Sequence, residues 1–282
     1  MLDLGIILRT IRFSHTAFAL PFALMAAFLA AEGVPGFWEL LWIMVAMAGA
    51  RTGALCLNRY ADAELDAKNP RTRYWPIPRR LVTKQQVLAL GIFSWVILML
   101  AAYMLRPFLV FLAPVAILVF IVYPYTKRFT WASHFINGFC LGMAPAGAWL
   151  AITGQLDLAP VIILLAVTFW VAGFDILYAL EDLEFDLRSG LNSFPQRYGV
   201  RSSFIAARLL HAVMVLLLLS LYFLLDLGAI YLTGLVLASM LLLYEHIFLK
   251  GKDPSRVEDA FFTVNGFVSV ILALFTMIEV AL

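Results

Sequence analysis

Residues 37–73 read FWELLWIMVAMAGARTGALCLNRYADAELDAKNPRTR, an apolar run of membrane length that ends in acids and bases at regular spacing. Asn58, Asp62 and Asp66 recur every fourth residue, so a helix stacks them on one face. The stretch DILYALEDLEFD at 175–186 repeats the device. It also closes an apolar run, with Asp182 and Asp186 four residues apart and Asp175 and Tyr178 extending that face inward. Acids at the end of a bilayer-spanning helix lose much of their hydration, so an uncompensated cluster there marks an ion or substrate site. Two such clusters facing each other suggest Mg2+, which takes one or two protein carboxylates and completes its shell with phosphate oxygens and water. A bland reading makes each cluster a solvated helix end, but two clusters at matching spacing argue against it.

Composition points the same way. Of the 282 residues, 63% are hydrophobic and 13% charged, and the mean hydropathy is +0.94. These values describe an integral membrane protein and exclude a soluble globule. The net charge of +2 is too small to imply a nucleic-acid partner. Cys56 and Cys140 lie in apolar segments without a spacing partner and read as core thiols. Arg9 and Arg12 lead into a long apolar stretch with no cleavage site after a short apolar region, so no cleavable signal peptide is expected.

Apolar windows of 17–25 residues predict an all-α membrane protein of nine helices, at 14–32, 37–58, 85–105, 107–124, 132–153, 159–181, 203–225, 228–249 and 259–280, forming a single domain over 1–282. Nearly all of the 20 Lys and Arg fall at the amino terminus and in the loops after the second, fourth, sixth and eighth helices. On the opposite face Arg106 stands among Glu32, Asp157 and Asp226. The positive-inside rule therefore places the amino terminus, the long loops and both acidic motifs on the cytoplasmic side of the cytoplasmic membrane, and the carboxyl terminus on the far side. The offset of 120 residues between the motifs, 62 to 182 and 66 to 186, hints at an old duplication around a central cavity. Asn58 has Tyr178 as its counterpart, and no wider repeat is visible.

The chemistry follows from the residue types. Hard oxygen ligands on one helical face hold Mg2+, and flanking arginines such as Arg71 grip a diphosphate through forked, charge-assisted contacts. Arg51 lies seven residues before Asn58, on the same face, and an arginine inside a span is a functional candidate. His15, His134, His211 and His246 show no metal-ligand spacing and read as satisfied core or interfacial histidines. The many Phe, Trp and Met residues read as lipid-facing or packing groups.

The pattern N-x3-D-x3-D-x4-R-T followed by D-x2-Y-x3-D-x3-D resembles the signature pair of the UbiA superfamily of intramembrane prenyltransferases. The resemblance covers essentially the whole chain, including IRFSHT at 11–16 and YPYTKR at 123–128. YALEDLEFD at 178–186 and NSFPQRYG at 192–199 are similar to the bacterial 4-hydroxybenzoate polyprenyltransferase branch or its menaquinone-pathway relative. There is one departure: Trp75 precedes Pro76 where the family usually has an arginine, so that contact is either missing or supplied by Arg73, Arg79 or Arg80.

The resemblance implies nine spans around a central cavity. Asn58, Asp62, Asp66, Asp182 and Asp186 would hold Mg2+ and the diphosphate of an allylic isoprenoid, whose tail runs into an apolar cavity open to lipid. Metal and cations stabilise the departing diphosphate, and an electron-rich aromatic ring attacks the allyl cation. Asp175 or another cluster carboxylate assists loss of the phenolic or ring proton. Lys127, with Tyr123 in the same matched segment, reaches the diphosphate, and Arg12 binds an aromatic carboxylate. For Arg12 and Lys127 an interfacial anchor is the competing role. The resulting expectation is a polyprenyltransferase acting on an aromatic acid in quinone biosynthesis, with 4-hydroxybenzoate preferred over a dihydroxynaphthoate. A cation-coupled transporter is the alternative of another class. It fits poorly, because the acidic clusters sit at helix ends beside basic loops rather than at a midplane break.

Overall fold

The computed structural model describes residues 19–248 and 257–282, and every regular element in them is helical. In chain order these are α1 (Ala19–Ala31), α2 (Phe37–Lys68), α3 (Lys84–Leu105), α4 (Leu109–Thr126), α5 (Ser133–Thr153), α6 (Leu158–Tyr178), a 3-10 turn (Ala179–Asp182), α7 (Leu183–Ser189), α8 (Phe194–Leu224), α9 (Ala229–Phe248) and α10 (Val257–Ala281). Among the described residues eight segments are long and apolar enough to cross a membrane: α2, α3, α4, α5, α6 through α7, α8, α9 and α10. The expected first span, 14–32, lies partly outside the described residues. Its described part, α1, is 13 apolar residues.

The apolar windows locate the spans but not the ends of the helices. Helix α2 runs 32 residues, about 48 Å at the standard rise, so the first motif lies on regular helix well past residue 58, where the window closes. Helix α8 starts at Phe194, nine residues ahead of its window. Gly199, at φ 80°, separates its first turn from the rest, a backbone state that glycine adopts without steric cost. A hydropathy window stops where charged residues begin. A helix continues through them as long as its backbone hydrogen bonds are made.

Helix α6 is the central element. Ile163, Val167, Trp170 and Val171 are fully buried, and Phe22 of α1 packs on the Trp170 ring at 5.1 Å. Gly138 and Gly142 of α5 sit against Thr168 and Leu164 of α6, so close that a β-carbon at either would collide with a carbonyl oxygen. Close approach through small residues is how helices pack where lipid removes the hydrophobic drive between them. The outer faces of α3, α4 and α8 present Phe93, Phe111, Leu216 and Phe223 outward, as a lipid-facing surface does.

Candidate active site between two acidic helix ends

A cavity of about 740 Å3 lies inside the bundle. Its body is apolar, lined by Ile43, Met47, Leu98, Leu112, Phe120 and Leu141 among others, and at one end Arg51, Asn58, Arg59, Tyr123, Asp175 and Tyr178 reach its wall. The Nε of Arg51 is buried without a hydrogen-bond partner among the described residues. An orphaned guanidinium nitrogen facing a cavity is costly unless a ligand meets it.

One turn beyond Asn58 and Tyr178, past this polar end, the carboxylates of the two motifs lie among cations. Asp62 accepts a hydrogen bond from Lys127 Nζ at 2.6 Å and has Arg128 at 3.7 Å, yet its Oδ1 is buried with no hydrogen-bond partner among the described residues. Asp66 pairs with Arg59 at 3.8 Å, and its backbone carbonyl accepts the hydroxyl of Thr72 at 3.0 Å. Asp182 is held by both nitrogens of the Arg71 fork and by Asn69 Nδ2 at 2.9 Å, while Arg71 also donates to Tyr178 Oη at 2.5 Å. Burial alone would lower the Arg71 pKa, but its hydrogen bonds to Asp182 and the neighbouring negative charge more than reverse this and leave it raised. Ser193 hydrogen-bonds Asp186, and the charge of Lys127 acts on Asp66, Asp182 and Asp186 as well as on Asp62. Lys127 is therefore the cation the two motifs share.

The residues fit a divalent cation. A buried carboxylate oxygen without a donor, beside a second carboxylate, is the chemistry that a hard ion takes. Among the described residues no three His, Cys, Asp or Glu side chains form a group able to hold a metal by themselves. An ion here would complete its shell with phosphate oxygens and water, the usual habit of Mg2+.

The UbiA prenyltransferase family profile matches residues 19–271. The chain belongs to that family. It is 31% identical over 260 residues to the 4-hydroxybenzoate octaprenyltransferase of Xanthomonas euvesicatoria, covering 91% of this chain and 84% of that protein. It is 26% identical to the protein of that name from Aliivibrio salmonicida, covering 89% of this chain and 88% of the relative. Among solved structures, a UbiA homolog from Aeropyrum pernix superposes with a TM-score of 0.86 at 27% identity, over 94% of this chain and 98% of that one. A UbiA homolog from Archaeoglobus fulgidus, bound to GPP and Mg2+, shares the fold with a TM-score of 0.72 at 18% identity, over 98% and 100% of the two chains.

Within this family member the expected site residues divide in two. Arg51, Asn58, Tyr123, Asp175 and Tyr178 line the cavity, whereas Asp62, Asp66, Arg71, Lys127, Asp182 and Asp186 form the charged layer past it. Arg12 and His15 lie outside the described residues. One expectation is corrected: the second motif does not share a single α-helical face. Asp175 and Tyr178 are on α6, Asp182 ends a 3-10 turn and Asp186 is on α7, so the chain is wound more tightly between them. The fork of Arg71 and the amide of Asn69 grip Asp182 at this break.

Trp75 also has an account. Its ring lies 3.5 Å from the Arg59 guanidinium, so the indole stacks on the arginine that pairs with Asp66. Arg73 hydrogen-bonds the neighbouring Tyr74, and Arg79 and Arg80 are exposed. Sequence reasoning passed over Asn69, Thr72 and Arg128, whose partners lie on other elements, and Arg59, whose partner Asp66 lies seven residues on along the same helix. It read His134 as a satisfied core histidine. His134 is buried and satisfied, but its partner is Asp175, at 2.6 Å. His211 and His246 pair with each other at 3.0 Å.

Proposed function

We propose that this protein transfers a polyprenyl chain from an allylic polyprenyl diphosphate to the ring of an aromatic acid, with Mg2+ as cofactor, in quinone biosynthesis. The observation that carries this reading is a cavity with an apolar body for an isoprenoid tail, Arg51 Nε in its wall without a hydrogen-bond partner among the described residues, and a charged layer past its polar end. The names of the relatives support 4-hydroxybenzoate as acceptor, with a dihydroxynaphthoate as the competing ring.

In this reading Asn58, Asp62, Asp66, Asp182 and Asp186 would hold Mg2+. When bound, the ion neutralises the charge that builds on the leaving diphosphate. Lys127 has three donors and spends one on Asp62, so it is placed to donate to a phosphate oxygen as well. Arg71 supplies the second cation from the loop after α2. Because these charges are fixed before the bond breaks, they stabilise the departing diphosphate without reorganising. Arg51, together with Arg12, pairs with the acceptor's carboxylate, since a buried anion needs a charged hydrogen-bond donor. Tyr123 and Tyr178 flank the reacting groups, and Asp175 takes the proton lost by the acceptor. The charged layer faces the cytoplasm and the protein is a multi-pass inner-membrane enzyme.

Assaying the purified full-length protein with Mg2+, an allylic diphosphate and a panel of aromatic acids tests this. Prenylated 4-hydroxybenzoate is the expected product. Absence of any prenylated acid, or full turnover in excess EDTA, refutes the reading. Orientation is tested separately: a cysteine placed in the 69–83 loop should be labelled only from the cytoplasmic side, and a reporter fused after Leu282 should behave as extracytoplasmic.

A further inference from the structure

His134 is the second residue of α5, and its side chain is only 6% exposed. Its Nε2 stands 3.2 Å from the backbone nitrogen of Phe194, the first residue of α8. A backbone N–H only donates, so Nε2 carries its lone pair and the imidazole's proton sits on Nδ1. Nδ1 lies 2.6 Å from Asp175 Oδ2 and therefore donates to it. The helix start thus sets the tautomer, because Phe194 N–H is one of the donors that the first turn of a helix leaves without an internal partner. The same short turn serves the charged layer. Asn192 N–H donates to the carbonyl of Lys127 at 2.7 Å, and Ser193 bonds Asp186.

Asp175 lines the cavity beside Tyr178 and Tyr123. In the proposed reaction the allylic C–O bond breaks, the diphosphate leaves with the electron pair, and a ring carbon of the acceptor bonds to the allylic carbon. That ring carbon still carries its hydrogen. Loss of the proton to Asp175 returns the C–H electron pair to the ring and restores aromaticity. We propose that His134 is a positioning residue for this step: its Nδ1–H holds one oxygen of Asp175 so that the other meets the ring hydrogen. A histidine oriented on one nitrogen by the backbone and presenting the other to a carboxylate fixes that carboxylate in one orientation; in metal sites the loss of a comparable supporting contact costs about 10- to 100-fold.

The inference rests on the aromatic-acid reading, so the test begins with wild-type turnover of 4-hydroxybenzoate, protiated or deuterated at the ring position that is prenylated. His134→Gln carries its amide near the Nε2 position, where it meets Phe194 but not Asp175, and His134→Asn carries an amide N–H near Nδ1. His134→Gln should lower kcat about 10- to 100-fold with the KM of the diphosphate unchanged, and should show a primary deuterium isotope effect larger than that of the wild type. His134→Asn should recover most of that loss. Asp175→Asn should also show the enlarged isotope effect, and adding His134→Gln to it should cost little more, as expected of residues acting as one unit. Equal losses in the Gln and Asn variants, losses that add to that of Asp175→Asn, an unchanged isotope effect or a rise in diphosphate KM would each reduce His134 to a cap for α8 and overturn the proposal. If His134→Gln does not fold, His134→Ala, alone and combined with Asp175→Asn, decides the matter by the same additivity test. A wild type that prenylates no ring acceptor refutes the reading beneath the inference, and the inference with it.

Discussion

The two acidic motifs carry the same spacing and end up in different states. Asn58, Asp62 and Asp66 lie on uninterrupted helix, and Asp62 keeps a buried oxygen with no hydrogen-bond partner among the described residues. The second motif crosses from α6 through a 3-10 turn into α7, and Asp182 at the break is held by three donors from Asn69 and Arg71. Asp62 faces cations from the segment after α4, whereas Asp182 is tied to the loop after α2. Matching spacing therefore does not mean matching duty. Under the proposed function the first motif is the stronger candidate for holding the metal. The second is where the 69–83 loop is strapped to the end of α6.

The hardest blow to this comparison is at Asp62. Asp62→Ala should lower turnover by about two orders of magnitude or more, the size typical for losing an electrostatic catalytic group, while membrane insertion stays normal. Asp182→Ala should cost a similar factor. The two should diverge in a Mg2+ titration, with Asp62→Asn moving the half-saturating Mg2+ concentration upward by more than Asp182→Asn does. Equal shifts would make the motifs equivalent ligands. Full activity of Asp62→Ala in excess EDTA would remove the metal from the account.

Arg51→Ala comes next. A hydrogen bond to a charged group contributes about 1.5–3 kcal/mol, so the acceptor KM should rise roughly 10- to 100-fold while the diphosphate KM holds. An amide of the aromatic acid should lose most of its disadvantage against the acid in this variant. Equal weakening of both substrates would assign Arg51 to packing.

Arg71→Lys keeps the charge but cannot form the two-pronged contact to Asp182. It should loosen the strap between the 69–83 loop and α6, seen as faster proteolysis within that loop and roughly a tenfold rise in diphosphate KM, a charged hydrogen bond's worth. The smallest expected effect is at Trp75. An exposed cation–π contact contributes about 0.5–1 kcal/mol and a desolvated one about 2, so Trp75→Ala should raise diphosphate KM several-fold by freeing Arg59 from its place beside Asp66. No change in Trp75→Ala would show that the ring does not hold Arg59 in place.

The outline of the fold was readable from local properties. Apolar length marks a span, and that is a property of short stretches of chain. The four-residue rhythm of Asp62 and Asp66 likewise needs nothing beyond the helical repeat. Where α2 and α8 begin and end was not readable from hydropathy, because a helix does not stop where its side chains become polar. The 3-10 break before Asp182 was hidden because its partners, Asn69 and Arg71, are more than a hundred residues earlier. Lys127 and Asp62 are 65 residues apart and His134 and Asp175 are 41 apart, so no window along the chain pairs them. Type and spacing named the acids, the bases and the membrane. Which cation meets which carboxylate, which oxygen lacks a donor among the described residues and which histidine holds Asp175 were set by the packing of the helix ends around the cavity, because charge pairs and hydrogen bonds act over a few ångströms in space whatever the distance along the chain.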